Sequence, residues 1–183
     1  MGGRFSQVQD DASLTTPPLA PCPGCGARFP DIDGPTHRYM VSSPGCWAAF
    51  QRVLAREYAS YEALGDVHRL TVDAYAAQHP GVPSPQSMKS VGVHLIRLCL
   101  TVEQGFDVRE SNRVMVAVSK VKGDFGWLDP PASLGDVTVA DVDAASGDAA
   151  HRAAVAAWAR SVWEAWAPHH DAVRAWAGAL HVS

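Results

Sequence analysis

Three of the four cysteines of this chain lie within one short segment, from Cys22 to Cys46, and His37 lies among them. The segment opens with the sequence CPGCG, which places Cys25 three residues after Cys22. A Cys-x2-Cys pair followed by glycine is typical of a zinc knuckle, because the tight turn points both sulfurs at one ion and glycine adopts the positive φ of the turn. The sequence therefore predicts a Zn2+ site of the closed Cys3His type, formed by Cys22, Cys25, His37 and Cys46.

Other interpretations of the cysteine pattern are weaker. Zinc deaminases also contain P-C-x-x-C, but they need a His-x-Glu upstream, and no histidine precedes Cys22. A thioredoxin-type redox pair lies between a strand and a helix, whereas prolines precede this pair and the sequence GARFP follows it. The plain alternative is that the cysteines are free thiols in a loop and that His37 is a surface residue.

The composition is that of a globular domain. Apolar residues make up 47% of the 183 residues and charged residues 19%, so the chain is long enough to bury a core. The net charge of −4 gives no electrostatic reason to expect a nucleic acid or an anionic membrane as partner. No apolar run approaches the roughly 20 residues that span a bilayer, and the first residues lack the apolar core of a secretory signal. We expect a cytoplasmic protein, in which clustered cysteines more often bind metal than form disulfides.

Most of the chain after the cysteine-rich segment has apolar residues at helical spacing. Serine and proline at Ser43 and Pro44 are typical of a helix start, and further helices are expected over 67–79 and 86–103. An Ala- and Trp-rich final helix should be bent or split by Pro168. Residues 110–120 contain alternating valines that resemble a strand, yet no hairpin signal flanks them, and we favour a helix. The expected fold class is all-α, a bundle of about five helices with an N-terminal Cys/His metal-binding loop.

The expected organisation is a tail followed by one domain. Residues 1–20 are polar, contain paired prolines and show no periodic apolar pattern, so they are predicted to form a disordered tail. Residues 21–183 are predicted to form a single helical domain, in which 21–46 are the metal-binding loop and 44–183 the helical body. The loop has neither a helical nor a strand period, so a bound ion would supply much of its order.

The remaining histidines suggest a second site within the helical body. His68 and His79 are eleven residues apart on one predicted helix, hence about 16 Å apart along its axis, and one ion cannot bind both if the helix is straight. The aromatic residues of the last segments and these histidines are typical of a ligand pocket. Its candidate residues are His68, Tyr75, His79, His94, His169 and His170. The alternative is that these histidines are buried and hydrogen-bonded to backbone or carboxylate groups.

Several motifs stand in a fixed order along the chain. They are CPGCG from residue 22, GPTHRY over 34–39, SPGCW over 43–47, and VHRLTVDAY over 67–75 followed by QHPG over 78–81. In this combination the chain resembles an uncharacterised bacterial family, one of the domains of unknown function, from about Cys22 to the Trp-rich end. The resemblance implies no activity. It does imply that the Cys/His loop and the helix from His68 to His79 belong to one unit.

These features favour a zinc-binding helical protein with a structural Cys3His site and a Trp/His-lined pocket for a small molecule or a protein partner. The second candidate function is a metalloenzyme with an open metal position. In that case one of the four predicted ligands does not bind, a metal-bound water carries out hydrolytic or transfer chemistry on a small molecule, and Tyr75 and His79 could assist as an acid–base pair. The number of protein ligands separates the two, because four favour a structural site and three with solvent favour catalysis.

Overall fold

The computed structural model describes residues 17–118 and 125–181. Within these ranges the chain is mainly helical, with a two-stranded antiparallel sheet at its N-terminal end. The strands are β1 (Leu19–Pro21) and β2 (Arg28–Pro30), and the helices are α1 (Pro44–Ala59), α2 (Tyr61–Leu64), α3 (His68–Gln78), α4 (Pro85–Leu98), α5 (Val108–Val118), α6 (Val139–Ala144), α7 (Asp148–Ala165) and α8 (His170–His181). A π-helical segment, Cys99–Glu103, continues α4, and a 3-10 turn, Ala167–His169, joins α7 to α8. The expected helical class is confirmed, with more helices than the five expected and a small hairpin in addition.

The structure has a hairpin where the sequence predicted the first part of an irregular metal-binding loop. Leu19 pairs with Pro30 and Pro21 with Arg28, so the CPGCG sequence forms the connection between the two strands. The amide of Gly26 donates to the Cys22 carbonyl over 2.9 Å, and Gly26 has the predicted positive φ, 75°. The predicted disordered tail over 1–20 lies outside the described residues up to residue 16, and its last two residues belong to β1.

Three local predictions about the helices can be compared with the structure. Ser43 caps α1, because its Oγ accepts a hydrogen bond from the Cys46 amide over 3.2 Å, and Pro44 takes the first helical position, as predicted. The helix that we favoured for residues 110–120 is present over 110–118, which belong to α5. Residues 119 and 120 lie outside the described residues. Pro168 separates α7 from α8, because proline cannot donate the backbone hydrogen bond that a continuous helix needs.

Helix α3 lies at the centre of the fold and packs against α1, α4 and α7. Two tryptophans attach α7 and the turn after it to the end of α3. The Trp158 indole donates to the Gln78 side chain over 2.9 Å, and the Trp166 indole donates to the Ala77 carbonyl over 3.1 Å. Both indoles are fully buried, so they contribute apolar area without leaving an N–H unpaired. The end of α3 is therefore held in a fixed position.

Among the described helices, none is both long and apolar enough to cross a membrane.

Candidate metal centre

Three separate elements bring four metal-binding side chains together. The connection between β1 and β2 provides Cys22 and Cys25, the first turn of α1 provides Cys46, and His79 follows the last residue of α3. One ligand atom from each of the four lies within 4.8 Å of the other three. Cys22, Cys46 and His79 are buried, while Cys25 is half-buried. This Cys3His group can hold a metal ion.

The distances within the group are short and similar. The Nε2 atom of His79 lies 3.4 Å from the Cys46 sulfur and 3.6 Å from the Cys22 sulfur. The sulfurs of Cys25 and Cys46 are 3.9 Å apart. All four cysteines of the chain are free thiols, so no disulfide competes for these sulfurs.

A backbone hydrogen bond fixes the tautomer of His79. Its Nδ1 atom lies 2.7 Å from the Tyr75 carbonyl oxygen, and since a carbonyl only accepts, Nδ1 must carry the hydrogen. The lone pair of the neutral ring is then on Nε2, which faces the sulfurs. The Tyr75 ring stacks on the imidazole with centroids 4.1 Å apart, and Phe50 stacks on Tyr75 at 3.8 Å. A histidine whose second nitrogen is bonded and whose ring is held in place is prepared to bind a metal.

Two glycines allow the chain to close over His79. A Cβ atom on Gly24 would collide with the Val41 carbonyl oxygen and with Cδ2 of the His79 ring. A Cβ atom on Gly81 would collide with the Tyr39 carbonyl oxygen, and Gly81 has a φ of 77°. The CPGCG and QHPG motifs therefore contain glycine where three parts of the chain meet: the hairpin, the segment with Tyr39 and Val41 between β2 and α1, and the end of α3.

The three thiols influence one another because they share a buried space. Hydrogen bonding from the Cys25 and Cys46 thiols lowers the pKa of Cys22 far below its ordinary value. The hydrogen bond to Cys22 in turn raises the pKa of Cys25 to about 12, and hydrogen bonds to Cys22 and Cys25 raise the pKa of Cys46. The Ser43 amide also donates to the Cys22 sulfur over 3.4 Å. A divalent cation among the three sulfurs would stabilise all of them as thiolates.

His37, the histidine predicted as the fourth ligand, is not in this group of four, and the structure has His79 in that place. The His37 ring packs edge-on against Tyr39 at 4.4 Å and tilts over Trp47 at 5.3 Å. Its Nδ1 atom is buried and has no hydrogen-bond partner among the described residues, and burial lowers the pKa of His37. The prediction used proximity along the sequence. The path of the chain through α1 and α3 instead brings a distant histidine back to the hairpin.

The other candidate pocket histidines each have a partner of their own. His68 is bonded to Glu57 at 2.8 Å and His94 to Asp73 at 2.7 Å. His169 and His170 donate through Nε2 to the backbone carbonyls of Asp129 and Trp163, over 2.8 and 2.9 Å respectively. These hydrogen bonds agree with the alternative stated above for these residues. Around Tyr75 the structure has a buried aromatic cluster whose members are Trp47, Phe50, Tyr75, His79 and Trp158.

Sequence reasoning did not identify a buried carboxylate beside His68. Glu57 is fully buried and accepts hydrogen bonds from His68, from the Thr71 hydroxyl over 2.5 Å and from His151 over 2.9 Å. It therefore links α1, α3 and α7. A signal was present, because Glu57 follows Val53 by four residues on the apolar stripe of α1, where a carboxylate needs partners when buried.

Comparison with known proteins gives a family and no function. No curated protein and no solved structure matches the chain. A family model does match, over residues 20–167, and this range contains all four residues of the Cys3His group. The resemblance inferred from the sequence motifs is thereby confirmed. The chain belongs to DUF5946, a family of unknown function.

Proposed function

We propose that this protein binds one zinc ion through Cys22, Cys25, Cys46 and His79, and that the ion has a structural role. The observation that supports the proposal is the convergence of four soft donors within 4.8 Å. In a tetrahedral zinc site with ordinary bond lengths, two sulfurs lie about 3.8 Å apart and a sulfur and a nitrogen about 3.6 Å apart. The distances between 3.4 and 3.9 Å in the group are close to these values. The donor set and its spacing therefore suit zinc.

The structural role follows from what the four ligands connect. Two belong to a hairpin with strands of three residues each, and an isolated hairpin of this size is at best marginally stable in water. The other two belong to α1 and to the end of α3. A bound ion would join the hairpin to both helices, and its binding free energy would contribute to folding. Four protein donors leave no coordination position for a substrate.

A metalloenzyme is the second candidate, and the position of Cys25 is the observation that favours it. Cys25 is the least buried of the four and lines an open depression of about 500 Å3 together with Gly135, Thr138 and Asp141 among others. If Cys25 did not bind the ion, solvent could reach a fourth coordination position from this side. The presence of the Cys25 sulfur within the group of four supports the structural role instead.

Metal content of matched histidine variants tests the proposal. The full chain, purified without added metal, is expected to contain about one zinc per molecule by elemental analysis. His79→Ala and Cys22→Ser should lose most of the zinc, whereas His37→Ala should retain it. A chain that contains no zinc after refolding with zinc present would contradict the proposal. Loss of zinc from His37→Ala with retention by His79→Ala would contradict the ligand set.

A further inference from the structure

A cavity of about 440 Å3 lies beside the first turns of α3, between α4 with its π-helical extension and the start of α5. Ligand pockets in proteins commonly have volumes of about 300 to 1,000 Å3. One wall is apolar and consists of Leu70, Phe106 and Val108. Arg69 and Arg97 line the cavity from α3 and α4. The metal centre contains none of these residues. Its His79 lies beyond the opposite, C-terminal end of α3.

Arg97 is a buried cation whose charge is only partly balanced. Its side chain is 13% exposed, and of its five N–H groups one has an acceptor among the described residues, the Asn112 side chain at 3.1 Å. Asp73 is 4.0 Å away and already accepts from His94 over 2.7 Å. Burial is the main cause that lowers the pKa of Arg97; the charge of Asp73 opposes this effect, and the charge of Arg69 adds to it. A buried guanidinium of this kind is stabilised by an additional anion.

The remaining charges of the cavity leave it with available cations. Asp66 is paired with Arg152 at 2.5 Å, and Asp107 caps α5 by accepting from the Glu110 amide over 2.8 Å. Arg69 is exposed, and the described part of the chain gives it neither an ion pair nor a hydrogen bond. Asp66 and Asp107 thus have partners of their own, and Asp73 is shared between His94 and Arg97. Arg69 is available to a ligand, and Arg109, which is also exposed, is a third cation of the lining.

A further observation indicates a ligand site. Ser111, which is 2% exposed and lines the cavity, has a buried hydroxyl for which the described residues provide no hydrogen-bond partner. Buried hydroxyls are almost always bonded, so an unpaired one requires an explanation. The π-helical segment Cys99–Glu103, which ends the helix begun by α4, lines the same cavity through Thr101.

We propose that this cavity binds a small organic anion. Arg69 and Arg97 would bind its carboxylate or phosphate group, because guanidinium groups match the geometry of both. The Ser111 hydroxyl would donate to the same group. The apolar part of the ligand would contact Leu70, Phe106 and Val108. This proposal is independent of the zinc site, and either can fail without the other.

Titration of the full zinc-loaded chain with three six-carbon probes tests the proposal. Hexanoate and hexyl phosphate are titrated by calorimetry at low salt, and hexanol is the neutral control. At least one anion is expected to bind one site per chain with a measurable Kd, and hexanol is not. The stronger of the two anions identifies the preferred acidic group.

Two variants assign the binding to this cavity. Arg69→Gln should raise the Kd by about tenfold or more, since it removes a charged hydrogen-bond donor from the ligand. Arg113→Gln is the matched control, because Arg113 is exposed on α5 and does not line the cavity; its Kd should be unchanged. Ser111→Ala should weaken binding while leaving thermal stability equal or higher, since it removes an unpaired buried hydroxyl.

Three results would overturn the proposal. The first is the absence of saturable binding by both anions at millimolar concentration. The second is binding of hexanol with an affinity equal to that of the anions. The third is an equal loss of affinity in Arg69→Gln and Arg113→Gln, which would indicate a non-specific charge effect. Zinc content measured on the same samples shows whether the metal centre is intact in each case.

Discussion

At the scale of single residues, His79 shows how neighbours prepare a ligand. Its Nδ1–H group donates a hydrogen bond to the carbonyl oxygen of Tyr75, which lies one turn earlier in α3, and its ring stacks on the Tyr75 side chain. Tyr75 is itself buried, and burial raises the pKa of its hydroxyl. The phenol oxygen lies 3.7 Å from the Cys46 sulfur, so Tyr75 contacts two of the four donors. Tyr75 therefore holds the His79 ring in place and contacts Cys46 within the Cys3His group.

Gly24 provides a test of the close approach between the hairpin and His79. Gly24→Ala should destabilise the protein by about 1–3 kcal/mol, because the added methyl group collides with a carbonyl oxygen and with the His79 ring. Gly34→Ala is the control, since its Cβ would meet only Pro44 Cβ at 3.7 Å, an ordinary contact. Urea denaturation with zinc bound measures both. Equal stability of the two variants would show that the hairpin does not contact His79 as described.

The buried Glu57 gives a second prediction at this scale. Glu57→Ala should lower the free energy of unfolding by about 3–5 kcal/mol, since it leaves His68, Thr71 and His151 without a shared acceptor. Glu62→Ala, a change of the same residue type at an exposed position of α2, should change it by about 0.5 kcal/mol or less. Denaturation curves of the two variants are compared, and a similar small loss in both would contradict the buried network.

At the scale of elements, the hairpin and the helices differ in what holds them. Helix α7 is long and buries Trp158 and Trp163 against the core, whereas the hairpin has two short strands and one buried aromatic side chain, Phe29. If the proposed zinc ion binds, the hairpin is therefore the element whose order should depend most on it.

Removal of the metal should affect these elements unequally. With a chelator present, amide hydrogen exchange of residues 19–31 is expected to accelerate strongly, while that of α7 changes little. Mass spectrometry of peptic peptides from the full chain measures both regions at once. Unchanged exchange of the hairpin after verified loss of zinc would contradict a structural role for the ion. Equal acceleration of both regions would show instead that the whole fold requires it.

The sequence predicted those elements whose causes are local. Ser43 and Pro44 mark the start of α1, and Pro168 marks the break between α7 and α8, because capping and the missing proline N–H act within a few residues. The hairpin was not predicted, since strands of three residues show no period and depend on pairing. The prediction of His37 rests on spacing along the chain, which does not show that α3 brings His79 back to the hairpin. The position of His79 at the end of a helix, before Pro80 and Gly81, was the available signal.

At the scale of the whole molecule, the four donors join the parts of the chain that meet at the end of α3. The hairpin contributes two ligands, α1 contributes one, and α3 is held in turn by Trp158 and Trp166. The cavity that we propose to bind an organic anion lies beside the first turns of the same helix. Helix α3 thus connects a proposed structural site at one end with a proposed ligand site at the other.

Zinc K-edge X-ray absorption of the full chain tests the central claim most directly, because it counts the sulfur and nitrogen neighbours of the bound ion. We expect three sulfurs at about 2.3 Å and one nitrogen at about 2.0 Å, with no oxygen neighbour. In His79→Ala the nitrogen contribution should be lost or replaced by oxygen, and in His37→Ala it should remain. Two sulfurs with oxygen neighbours in the unmodified protein, or a spectrum that changes in His37→Ala and not in His79→Ala, would contradict the account.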